Sequence, residues 1–139
     1  MVSEKPVIEF HLDHRSGVAT YLQIVHQVKQ ALRLGYLQAG DQLPTMREIV
    51  AQIAINPNTV FKAYRTLEME GLVESRPGQG TFVTRTLEGP PPAILAELRR
   101  SLHQWLQEAS AAGLDEEGMF ALFASSLREV QEVQKEEKA

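Results

Sequence analysis

The side chains best equipped for specific non-covalent recognition crowd one short stretch, INPNTVFKAYRTLEMEGL, residues 55–72. If it is helical, at about 100° per residue, Asn58, Lys62, Arg65 and Met69 share a face opposite Val60, Ala63, Tyr64 and Leu67. Asn pairs bidentately with adenine, and Lys or Arg with guanine, along the major-groove edges of DNA. Asn56 and Thr59 stand at the N-terminal end of the same segment, where free N–H groups and the positive end of the helix dipole suit a phosphate. The same residues also make a good helix start with a solvated face. Asn56 suits an N-cap because a residue before proline is pushed out of the α region, and Pro57 then falls at the first helical position, where its missing N–H costs nothing. The neighbouring elements decide between these readings.

Catalytic chemistry has little to work with. There is no cysteine, hence no disulfide, thiolate metal site or cysteine nucleophile. Of the four histidines, only His11 and His14 in HLDH lie near an acid, Asp13. On an extended chain His11 and Asp13 share a face and His14 points away, a poor ligand set. No nucleophile-elbow or phosphate-loop pattern occurs. We expect neither an enzyme nor a resident metal or cofactor.

The elements that must position the recognition stretch are legible around it. Thr20 opens TYLQ, a Thr-x-x-Gln pattern that predicts a capping box. Tyr21, Ile24, Val25, Val28 and Leu32 follow at helical spacing, and Gly35 predicts the stop. A weakly alternating VIEF at residues 7–10 predicts an edge strand ahead of it. QAGDQLP reads as turn chemistry, and TMRE, Thr45 to Glu48, as a second capping box starting a short helix with Ile49, Val50 and Ile53 inward. Arg47 in that first turn opposes the helix dipole, which points to an outside anion or to a pair with Glu48. Gly71 ends the recognition helix. LVESR-PGQG-TFVT then predicts a hairpin, with Arg76, Gly78, Gln79 and Gly80 forming a thin tip that approaches a nucleic-acid backbone or minor groove. Helix, short helix, tight turn, helix and hairpin, in that order, predict a winged helix-turn-helix.

The rest of the chain reads differently. At 139 residues, with 43% hydrophobic and 23% charged residues, it has the composition of a soluble globular protein. No run reaches bilayer length, and the N-terminus lacks a signal peptide's apolar segment, so a cytoplasmic location is expected. Residues 1–88 carry nine basic and nine acidic side chains, whereas residues 89–139 carry five and nine, which accounts for the whole net charge of −4. The seam is LEGPPPAIL, where three prolines exclude helix and strand interiors. We expect a DNA-binding domain at 1–88, a Pro-rich linker at 89–92 and a two-helix element at 93–139. The fold class is mainly α with a small β-wing. In the tail, Leu98, Leu102, Trp105, Phe120, Phe123 and Leu127 mark apolar faces that two helices alone cannot bury, so they predict dimerisation. Small ligands favour junctions of this kind, so the place expected for any small-molecule effector is between tail and DNA-binding domain. The rival to DNA binding is a winged helix used for protein–protein contact, which has no need of Asn58, Lys62 and Arg65 on one outward face.

From Thr45 to Val83 the chain resembles the GntR family of bacterial transcription regulators. The carriers are Leu-Pro before the second helix, Arg-Glu within it, Asn-Thr-Val on the third, Leu-x-x-x-Gly-Leu at its exit and Gly-x-Gly-Thr-Phe-Val in the wing. The opening IEFHLDHRSGVATYLQI and the short tail resemble the YtrA-type subfamily. The resemblance implies a homodimeric repressor on a palindromic operator, with DNA contacts at Arg47, Asn56, Asn58, Thr59, Lys62, Gln79 and Gly80. Many family members carry Glu where Met46 stands and Arg where Phe61 stands, so the resemblance implies that one common phosphate or base contact is absent, and Pro57, where Arg is frequent, implies a different operator here and not lost binding.

Overall fold

The computed structural model describes residues 8–138, and the chain divides into two units between Pro90 and Pro91. The first contains α1 (Thr20–Arg33), α2 (Met46–Gln52), α3 (Pro57–Met69), β1 (Val73–Arg76) and β2 (Gly80–Val83). The second contains α4 (Pro92–Ala111) and α5 (Glu116–Lys138). No described helix is long and apolar enough to cross a membrane.

The core of the first unit joins the inward stripes of the three helices to the base of the hairpin. Ile24, Val28 and Leu32 of α1 meet Ile49 of α2 and Val60, Ala63 and Leu67 of α3, with Leu72, Val73 and Val83 closing one end. Leu37 and Leu43, in the connection between α1 and α2, are fully enclosed as well. Val50, expected to face inward, is instead exposed, and Tyr21 and Tyr64 are only half-buried at the margin. A helix of two turns presents one narrow stripe, and Ile49 alone fills it.

Two expectations for the N-terminal region are overturned. Ile8–Phe10 is not a strand, and Val7 lies outside the described residues. Ile8 and Phe10 are nevertheless buried, and the side-chain amide of Gln27 takes the part of a neighbouring strand: it accepts from His11 N–H at 2.9 Å and donates to His11 C=O at 2.6 Å. The capping box at Thr20 does not form. Ala19 is the N-cap and no side chain caps the helix, because Gln23 turns outward to the preceding loop. Its amide accepts Asp13 N–H at 2.8 Å and donates to the carbonyls of Asp13 and Val18, both at 2.9 Å. Asp13 itself accepts from Arg15 N–H at 2.9 Å, so the HLDH segment is a tied-down loop.

The hairpin pairs Val73 with Val83, Glu74 with Phe82, Ser75 with Thr81 and Arg76 with Gly80. Its tip is a turn closed by Gln79 N–H on Arg76 C=O, with Pro77 second and Gly78 third at φ 75°. That is the type II geometry which requires a left-handed third residue. A further edge, unforeseen in QAGDQLP, runs along β2. Gly40 N–H bonds Val83 C=O, Val83 N–H bonds Asp41 C=O, and Leu43 N–H bonds Thr81 C=O, all between 2.8 and 2.9 Å.

The end of α3 is densely tied. Gly71, at φ 76°, lets Leu72 N–H reach back to Leu67 C=O, which turns the chain directly into β1. Glu68 accepts Ser75 N–H at 3.0 Å, and Glu70 pairs with Lys29 of α1 at 2.9 Å. Arg85 donates to Glu70 C=O and Thr84 Oγ1 to Gly71 C=O, at 3.2 and 2.7 Å.

In the second unit α4 begins on Pro92, and Asp115 caps α5 by accepting Gly118 N–H at 2.8 Å. Neither helix has a buried residue. Leu98, Leu102, Phe120, Phe123 and Leu127 are all exposed, Phe120 at 66%, and Trp105 is half-buried.

Candidate nucleic-acid interface

Local capping sets the directions of α2 and α3. Thr45 Oγ1 accepts Glu48 N–H at 3.2 Å while the Glu48 carboxylate turns back to Thr45, a complete capping box. Thr45 is therefore occupied in holding the helix, and Glu48 faces Thr45, not Arg47. Arg47 is exposed in the first turn of α2, and no ion pair involves it among the described residues. Four residues, 53–56, then lead into α3. Asn56 Oδ1 accepts Asn58 N–H at 2.9 Å, and Pro57 takes the first helical position.

The angle between the two helices is held by Tyr64. Its hydroxyl donates to Pro44 C=O at 2.6 Å, just before α2, joining the middle of one helix to the entrance of the other. Burial raises the phenol pKa well above its ordinary value, and the charge of Glu48 adds to the shift. The group stays protonated, as a donor to a carbonyl must.

With α3 so placed, Val60, Ala63 and Leu67 point to the core, and Asn58, Phe61, Lys62 and Arg65 point out. Asn58, Thr59 and Lys62 come together with Thr20 and Tyr21 of α1 around an open cleft. Lys62 Nζ stands 4.1 Å from the centre of the Tyr21 ring, so its charge is carried toward the uncapped N-terminus of α1. The cleft thus combines a cation, side-chain donors and a helix end with unclaimed N–H groups, chemistry that suits a phosphate oxygen. The sequence predicts Thr20 as a cap and Tyr21 as part of a buried face, and both line this cleft instead. The signal for a different role is the alanine at position 19, which has no side chain able to cap.

Arg65 is exposed on the second half of α3, outside the cleft. In the wing, Gly78 and Gln79 form the tip, and Gln79 C=O accepts the Gln42 side chain at 3.2 Å. Gly80, at φ 129°, lies where a Cβ would come within 2.5 Å of that Gln42 amide. Arg76 is the first residue of the tip turn. It lies in β1, with Nε 2.7 Å from Glu74 and its guanidinium 4.3 Å from the centre of the Phe82 ring. Residues 74 and 76 share a face of the strand, so period-two spacing places this pair together.

The comparisons with known proteins agree with this geometry. Residues 20–83, α1 through β2, match the model for bacterial regulatory proteins of the gntR family. The HTH-type transcriptional repressor YtrA of Bacillus subtilis is 36% identical over 118 residues, covering 72% of this chain and 91% of that protein. Among solved structures, a protein from Listeria monocytogenes described as a transcriptional antiterminator superposes with a TM-score of 0.53 at 30% identity, covering 86% of this chain and 90% of that one. YtrA from Sulfolobus acidocaldarius, described as a GntR-family transcription factor, shares the fold at a TM-score of 0.50 and 24% identity, over 88% and 99% of the two chains. Helix order, wing, and identity extending over nine-tenths of a curated relative lead to one assignment: this chain belongs to the GntR family of bacterial regulatory proteins, winged helix-turn-helix transcriptional regulators.

Proposed function

We propose that the protein is a homodimeric repressor that binds a palindromic operator, with α3 in the major groove. The observation that carries this reading is the division of labour along α3. Its inward residues and its C-terminal carboxylates are all engaged within the fold, whereas Asn58 and Arg65 are exposed and their side chains have no hydrogen bond or ion pair among the described residues. Asn58 and Arg65 then read base edges, while Arg47, Thr59, Lys62 and the uncapped end of α1 hold phosphates. Asn56 and Thr45 act through the caps they form, and Gly78, Gln79 and Gly80 bring the backbone of the wing close to the duplex. Arg76 stiffens the wing through Glu74 and Phe82.

The apolar faces of α4 and α5 support dimerisation, since a helical pair with no buried residue gains stability by covering those faces with a second copy. Two copies related by a two-fold axis require an operator with the same symmetry. The similarity to a repressor supports the direction of regulation.

Selection of bound duplexes from a random pool tests the reading. The expected product is an inverted repeat whose half-sites are one or more helical turns apart. A pool that shows no enriched sequence rules out sequence-specific binding, and an enriched site without symmetry rules out the two-fold dimer. Deleting residues 93–139 is expected to give a monomer with much weaker operator affinity.

A further inference from the structure

Two aromatic side chains lie on α3, and they differ in burial. Tyr64 is turned inward and bonded to Pro44, whereas Phe61 is 55% exposed and outside the hydrophobic core. Phe61 stands three residues after Asn58 and four before Arg65, so it lies beside both on the helix surface. From Pro57 to Leu67 the helix contains no carboxylate, and the first acids beyond, Glu68 and Glu70, are bound to Ser75 N–H and Lys29. Lys62 and Arg65, both exposed, give this stretch positive charge. An apolar ring on a helix stretch that carries two cations and no carboxylate is suited to a polyanion that also offers an apolar feature.

Double-stranded DNA has such a feature. Thymine alone among the four bases carries a methyl group on its major-groove edge, and a phenyl ring, which can neither donate nor accept a conventional hydrogen bond, meets that methyl by apolar contact. We propose that Phe61 is a specificity-determining residue that selects thymine through its 5-methyl group, next to the base read by Asn58 or Arg65. This rests on the placement of α3 in the major groove.

The test uses the full-length protein and its selected operator. Each thymine is replaced in turn by deoxyuridine, symmetrically in both half-sites, which removes the methyl and keeps the pairing. At one position per half-site the substitution is expected to weaken binding about fourfold per half-site, the value of burying one methyl-sized group. In Phe61→Ala the same substitution is expected to have no effect, with the melting temperature and dimer mass of the wild type retained. The proposal is overturned if every deoxyuridine operator binds the wild type as tightly as the thymine operator, or if Phe61→Ala keeps the full thymine dependence. It is also overturned if Phe61→Ala dissociates the dimer, which would make the ring a protein contact. Absence of any enriched operator would remove the DNA-binding reading itself, an outcome distinct from operator binding without methyl dependence.

Discussion

Replacing Lys62 by alanine separates the interface from the fold. In the free protein the ammonium stands 4.1 Å from the Tyr21 ring centre and is exposed to solvent. A cation–π contact at an exposed site contributes about 0.5–1 kcal/mol. Alanine returns a few tenths of a kcal/mol through higher helix propensity. The net loss is therefore about 0.5 kcal/mol, or roughly 2–4 °C in melting temperature for a domain of this size. On DNA the effect is larger and of another kind. If Lys62 neutralises one phosphate per protomer, the slope of log K against log salt becomes less steep by about 0.9 per contact, or about 1.8 for a dimer. Over a fourfold rise in salt, about 50 to 200 mM, the wild type then loses roughly tenfold more affinity than the variant. Fluorescence anisotropy on the selected operator and on a scrambled duplex measures both slopes. The loss at low salt should be similar on the two duplexes, because phosphate contacts carry no sequence information. An unchanged slope accompanied by relaxed preference at one base pair would show that Lys62 reads a base, and that its place over Tyr21 does not survive binding. A melting temperature lowered by more than about 10 °C would show that the contact holds the fold together.

Two further substitutions test the frame that carries the interface. Tyr64→Phe removes the donor to Pro44 C=O and should cost about 1–2 kcal/mol in chemical denaturation. Because the folded-state pKa of Tyr64 is raised, the group's stabilisation is complete below the unfolded value near pH 10 and fades as pH rises above it; the advantage of wild type over Tyr64→Phe should shrink in that range. Gly71→Ala places a side chain at φ 76° with open space around it, so its cost is backbone strain alone, about 1 kcal/mol, and Gly71→Asn should recover part of that in the same denaturation assay.

The elements whose signals are local were legible in the sequence. The Thr45 capping box, the Asn56-Pro57 start, the glycine exits and the Pro-Gly turn each concern residues within a few positions of one another, and each formed as its chemistry required. What escaped was long-range pairing between side chain and backbone. Gln23 and Gln27 bind residues 10 and 16 positions earlier, and a glutamine on a helix has no pattern that reveals such a partner. TYLQ satisfied the letter of a capping box, yet the bonds available to Gln23 in the loop outnumber the single one a cap offers. The extra edge at residues 40–43 was hidden for a similar reason. It is too short to show alternation and exists because β2 has unpaired backbone groups beside it. At the interface, the outward face of α3 followed from periodicity, whereas the association of Lys62 with α1 required the packing of two helices far apart in sequence.

The ties at the end of α3 have a consequence for how such proteins diversify. Glu68, Glu70 and Gly71 engage α1, β1 and the segment leaving the wing, while the outward residues of the first three turns carry almost none of the fold's hydrogen bonds. Substitutions at positions 58, 61 and 65 are thus released from the stability threshold that constrains most residues. If these three positions read the operator as proposed, a lineage changes its address by drift at the surface, with the scaffold inherited intact, and duplicated copies diverge to new operators without passing through unfolded intermediates.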